Sequence, residues 1–193
     1  MALETLSEAE LARRCRRGDP AAWRALVRRF TPLVYRLARR MLRREAEAED
    51  VSQEVFLRMH RSFGSYDPTR PLAPWVARTT YHAALRRLEA TSRLTLAGEP
   101  AGEDPLLALP DPRRPSPEEA AAGGEASALL ARALDGLPAQ DRALLDLRYR
   151  EGLSDAEVAE AVGMPVSTVK TRLHRARARL RGWLAPLLPR DGP

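Results

Sequence analysis

Between Ser167 and Arg175 the chain concentrates side chains that can hydrogen-bond a polyanion or a base edge. Ser167, Thr168, Thr171, His174 and Arg175 recur at helical steps and so share one face. Val169, Leu173, Ala176, Leu180 and Leu184 recur at three- and four-residue steps and form the opposite, apolar stripe. From Val166 to Arg181 there are six basic residues (Lys170, Arg172, Arg175, Arg177, Arg179, Arg181) and no acidic ones. Small hydroxyls and an arginine on the outside of a basic helix suit the major groove of DNA. There a guanidinium can pair with guanine through two bonds, and a threonine methyl can touch thymine.

Such a helix needs a platform. Ser154 with Glu157 three residues on reads as a capping box, predicting a helix from Asp155 with Val158, Ala161 and Val162 inward. Gly163 supplies a left-handed stop, and Pro165 opens the next helix, where its missing N–H is not needed. A preceding helix from Leu137-Pro138, with Leu144, Leu145, Leu147 and Tyr149, ends at Gly152. Gly152 to Arg181 is thus a helix-turn-helix inside a small helical domain.

A second constellation lies far upstream. The sequence predicts a helix over Ala46 to Ser62 with Val51, Val55, Met59 and Phe56 inward. Asp50, Gln53, Glu54 and Leu57 line a neighbouring face. Acid in the first turn is explained by the helix dipole, but Gln53, Glu54 and Leu57 lie beyond that turn and need another reason. Phe63 to Pro74 is a loop by composition. A helix over Trp75 to Glu89 follows, carrying Arg78, His82, Arg86 and Arg87. Before these, Ser7 with Glu10 predicts another capping box, and Asp19-Pro20 starts a helix with Trp23, Leu26, Val27 and Phe30 inward. Pro32 predicts a kink or restart before Leu33, Val34, Leu37, Met41 and Leu42. Four helices with short connections make one bundle.

The 193 residues suffice for two small domains, and aromatics are only 5%, with no alternating β-branched runs, so the fold class expected is all-α. The net charge of +6 is unevenly spread. Residues 1–90 hold 18 basic and 11 acidic side chains, 91–128 hold 3 and 7, and 129–193 hold 11 and 8. The middle stretch, rich in Pro, Gly and Ala, reads as a flexible acidic linker, with helix returning over Pro117 to Asp135. A basic balance favours a polyanionic partner. Lys170 is the only lysine, and Asn and Ile are absent. A GC-rich genome accounts for that bias, so arginine content alone is weak evidence for DNA. Cys15 is the only cysteine, which excludes an internal disulfide, and the three histidines have no metal-ligand spacing. No cofactor or metal is expected. No apolar run is long enough to span a membrane and no signal peptide is visible, so the expectation is cytoplasmic, without membrane insertion.

Three segments together, GDPAAWRALVRRFTPLVYRLARRML, AEAEDVSQEVFLRM and LPAQDRALLDLRYREGLSDAEVAEAVGMPVSTVKTRLHRARARLR, resemble the bacterial sigma-70 family, in its extracytoplasmic-function (ECF) type. A helix-turn-helix alone is common; D-x-x-Q-E-V-F one domain upstream is specific. The resemblance implies residues 1–90 as region 2, 91–128 as linker and 129–193 as region 4. It implies that Asp50, Gln53, Glu54 and Leu57 dock on the β′ clamp helices of RNA polymerase core, which also touches region 4 through the β flap. It implies −10 recognition and melting through Ser65, Tyr66, Asp67, Arg70, Arg78, His82, Arg86 and Arg87. The loop Gly64 to Pro71 would hold an extruded base, with Tyr66 as a stacking face. His82 stands where the family usually has Asn, and Arg86 where it often has Asp. It implies −35 recognition through Ser167, Thr168, Lys170, Thr171, Arg172, His174 and Arg175, with Arg172, Arg177 and Arg179 suited to backbone or packing roles. Promoter DNA, polymerase and an anti-sigma factor are the implied partners, and the acidic segment Glu99 to Glu125 is expected to thread the polymerase channel that later holds RNA. No catalysis is implied. The alternative is a stand-alone helix-turn-helix transcriptional regulator, which would need an upstream receiver or ligand-binding domain; the N-terminal half shows no strand–helix alternation.

Overall fold

The computed structural model describes residues 6–96 and 129–185, all of it helix and connecting turns. Of the linker expected at 91–128, residues 91–96 are helix, and 97–128, with the acidic segment, lie outside the described residues. The helices are α1 (Glu8–Arg16), α2 (Pro20–Met41), α3 (Glu45–Ser62), α4 (Leu72–Leu96), α5 (129–135), α6 (Ala139–Leu145), α7 (Asp155–Val162) and α8 (Val166–Leu184).

Local chemistry sets most of the ends. Ser7 accepts from Glu10 N at 3.2 Å, but Glu10 does not reach back, because its carboxylate is held by Arg13 and Arg14. The box expected there is therefore half made. Asp19 caps α2 through the Ala21 and Ala22 amides, with Pro20 at the first helical position. Ser154 and Glu157 form the full reciprocal box on α7, and Gly163 ends it at φ +70°.

Two expectations are corrected. The restart at Pro32 is absent, and α2 runs unbroken through it. Leu26, Val34, Leu37 and Met41 are buried on either side of the proline. At about 1.5–3 kcal/mol per buried large apolar side chain, that packing outweighs one missing backbone bond. The helix expected to stop at Glu89 continues to Leu96. No Gly or Pro follows Pro74 until Gly98, so nothing in the sequence breaks it. At its other end α4 begins three residues early. The Leu72 amide donates to the Glu8 carboxylate at 3.0 Å, so a side chain of α1 caps α4.

α2, α3 and α4 pack around Leu26, Val34, Leu37, Val55, Met59, Val76 and Tyr81. The second unit packs α6, α7 and α8 around Leu144, Leu147, Val158, Val162, Val169 and Leu173. A single π-helical turn, Asp146–Arg150, follows α6. Arg142 is only 7% exposed and donates to the carbonyls of Arg40, Asp135 and Leu137. The units are in contact: α4 lies along α7 and α2 against α6, and their buried residues form one continuous core. Cys15 is half-buried; burial, reinforced by Asp19, pushes its thiol up to about 11, so it stays protonated at neutral pH.

Candidate nucleic-acid interface

α8 presents its polar face as the spacing predicts. Ser167, Thr168, Lys170, Thr171, His174 and Arg175 are exposed, while Val169, Leu173 and Ala176 are buried beneath them. Thr171 Oγ1 bonds back to the Ser167 carbonyl at 2.9 Å. Among the described residues no ion pair engages Lys170, His174 or Arg175, so their charges and donors are free for a ligand. Arg172 is differently placed. Its guanidinium lies 2.7 Å from Asp141 and 2.7 Å from Gln140 Oε1, bracing α8 to α6. These bonds are in keeping with the backbone or packing role also expected of it. Arg177 sits over the Tyr149 ring at 6.0 Å.

The residues expected at −10 gather in the first unit. All of them except Arg87 line one cleft of about 700 Å³. Tyr66 corrects an expectation: its ring is buried against Phe63 and Trp75, at 5.4 and 4.9 Å between centroids, and its hydroxyl donates to the Arg70 carbonyl. Burial, with Glu8 and Asp67 adding, pushes that hydroxyl up to about 12. An aromatic beside two others gains more by packing than by waiting exposed, so Tyr66 shapes the loop and offers no open stacking face here. Asp67 accepts from the Thr69 amide and hydroxyl, which hold its carboxyl below the usual range. Ser65 donates to the Ser62 carbonyl. Arg70, Arg78 and Arg86 bring positive charge to the cleft, and His82 sits half-exposed between the last two. Burial first, then Arg78 and Arg86, hold the imidazole below its ordinary value, so it is neutral at pH 7. Arg58 and Thr79 also line the cleft. Neither was singled out in sequence, because both reach it only once α3 and α4 are paired.

On α3, Asp50, Gln53, Glu54 and Leu57 are all exposed, and Leu57 is 59% exposed. Arg87 lies 3.4 Å from both Glu47 and Asp50, and Glu54 pairs with Arg58 at 2.9 Å and Arg86 at 3.9 Å. Asp50, Gln53, Glu54 and Leu57 thus form one exposed face of α3 that the core does not use.

Two helical units, one with a basic helix-turn-helix and one with an arginine-lined cleft beside an acidic face, have the make-up of a DNA-binding protein. A Sigma-70 region 2 family model matches residues 26–94, and a Sigma-70 region 4 model matches residues 127–180. The chain is 36% identical over 171 residues to the ECF RNA polymerase sigma factor SigE of Mycolicibacterium smegmatis, covering 87% of this chain and 65% of that protein, so it spans just under two thirds of that relative. It is 32% identical over 175 residues to the ECF RNA polymerase sigma factor SigW of Bacillus subtilis, covering 89% and 94%. Among solved structures it resembles CnrH, determined in complex with the cytosolic domain of CnrY, at 25% identity and TM-score 0.64, covering 93% and 97%. The chain belongs to the ECF group of the sigma-70 family. The region 2 match upstream of the helix-turn-helix favours that reading over a stand-alone regulator.

Arg175→Ala is expected to relax preference at a single −35 base pair, at a cost of about 1–3 kcal/mol. Binding to a panel of single-substituted −35 duplexes checks it. A loss uniform across the panel makes Arg175 a phosphate contact instead.

Proposed function

We infer that this chain is a dissociable promoter-specificity subunit of bacterial RNA polymerase, working in the cytoplasm and catalysing nothing itself. Among the described residues no helix is long and apolar enough to cross a membrane, and no cluster of ligating side chains could hold a metal. The carrying observation is the pairing of two exposed faces in one chain: the acidic Asp50–Leu57 face on region 2 and the basic Ser167–Arg175 face on region 4. The first is read as the dock for the β′ clamp helices, the second as the −35 grip, with the β flap against region 4. The cleft at Arg70, Arg78, His82 and Arg86 is read as the −10 site, where phosphates meet guanidinium and captured bases hold strands apart. The sequence has no G-x-x-x-x-G-K-[ST] loop, so captured bases and polymerase contacts are the energy source for opening. CnrH is solved in complex with the cytosolic domain of CnrY, which supports a protein partner for this chain; that partner is read as the anti-sigma factor the resemblance implies.

Run-off transcription with purified core polymerase tests the reading. Promoter-specific transcripts are expected only when the chain is added. If no template from a genomic fragment library yields a chain-dependent transcript, the reading fails.

A further inference from the structure

The acidic face of α3 and the arginine-lined cleft share a border, and Glu54 stands on it. Its carboxylate lies 2.9 Å from Arg58, one turn further along α3, and 3.9 Å from Arg86 of α4. Both guanidiniums also line the cleft. All three side chains are about half-exposed, so the pairs form in water and each is weak. The neighbouring charges do not cross this border. Arg87 makes comparable contacts with Glu47 and Asp50 but lies off the cleft. Arg78 lines the cleft, and among the described residues no ion pair engages it.

One set of charges thus meets two demands. A strand in the cleft brings phosphates, which draw on Arg58 and Arg86. A protein docked on α3 brings cations, which draw on Glu54. In the free chain these groups neutralise one another. Whichever ligand arrives first breaks the pairs and leaves the opposite charge open to the second. The coupling is therefore positive. It is also reciprocal: the strand tightens docking by the same factor as docking tightens the strand. At the place of Arg86 the family often has Asp, which repels Glu54 instead of holding it, so the exchange belongs to this sequence.

We propose that Arg86, together with Arg58, couples the docking face of α3 to the −10 cleft by exchanging partners: Glu54 in the free chain, DNA phosphate once a strand is held. Toward polymerase Arg86 is a positioning residue that acts through Glu54. The proposal rests on the docking and −10 readings of the two faces.

The test measures the affinity of the full chain for purified core polymerase, alone and with a saturating single-strand pool of about 12 nucleotides. Without the strand, Arg86→Gln is expected to tighten docking about threefold, because Glu54 loses a competitor. In a Glu54→Gln background the same substitution is expected to have no effect. The saturating strand is expected to tighten wild type about threefold more than it tightens Arg86→Gln. Contacts between strand and core polymerase are common to both chains and cancel in that ratio. Arg78→Gln removes a cleft cation that holds no carboxylate. It is expected to weaken the strand's own binding severalfold and to leave the ratio at its wild-type value.

If Arg86→Gln leaves docking unchanged, if its effect survives in Glu54→Gln, or if the strand tightens it as much as wild type, the exchange is overturned and both faces keep their roles. If Glu54→Gln alone docks like wild type, the docking reading falls and the exchange with it. If Arg78→Gln holds the strand like wild type, the −10 reading of the cleft falls, again taking the exchange with it.

Discussion

Glu54→Lys weakens binding to core RNA polymerase roughly a hundredfold, the size expected when one partner of a docked charge pair is lost, about 3 kcal/mol. Glu54 is half-exposed and makes its ion pairs with Arg58 and Arg86 in water, where each contributes little to the fold. Lysine there adds a third cation to two arginines, a penalty of about 0.5 kcal/mol on the helix surface. The melting curve should therefore barely move while affinity collapses. Leu57→Ala separates interface from fold more cleanly. A leucine 59% exposed contributes little to packing within the chain, so affinity lost on truncating it is chiefly intermolecular. Titration of labelled chain against core polymerase at two salt concentrations distinguishes the contributions. The deficit of Glu54→Lys should shrink as salt rises and that of Leu57→Ala should not. Unchanged affinity in both variants removes the docking assignment.

Arg142→Ala is expected to be the most destabilising single change in the second unit, at about 3–5 kcal/mol. The side chain is buried, and among the described residues no ion pair engages it, though the charge of Asp135 acts on it. It satisfies three carbonyls instead, from α2, from the end of α5 and from Leu137 ahead of α6. Burial lowers its affinity for the proton, but a guanidinium stays charged at any working pH. Alanine leaves three acceptors unpaired and a cavity between the units. Arg142→Met refills most of the volume without the donors, so its loss should be intermediate. Urea unfolding checks the order. If methionine restores full stability, packing is what matters and the bonds to the carbonyls are incidental.

The contrast between Glu54 and Arg142 marks what the amino-acid order discloses. Helix starts were legible where the cap lies within three residues: Ser154 with Glu157, and Asp19 with Pro20. The stripes of α8 were legible because period 3.6 needs no partner to be seen, and so was the acidic face of α3. What escaped depends on residues far apart in the chain. Glu8 caps α4 across 64 positions, Arg142 reaches the Arg40 carbonyl across 102, and Arg172 turns inward because Asp141 waits 31 residues upstream. Tyr66 looked available because a Gly/Pro loop implies exposure; Phe63 and Trp75 converge on it only after α3 and α4 pack. The contact between the two units was equally invisible, since its charges read individually as ordinary surface.

Because all but one of the 32 cationic side chains are arginine, the chain carries a single side-chain amine, and the fold leaves it exposed in the middle of the α8 face. Acylating reagents that spare guanidinium will therefore mark Lys170 and otherwise only the chain's own N-terminus. The protein arrives with a chemical reporter already seated where the −35 duplex is expected to lie, and protection of that one amine reads out engagement without any engineered label.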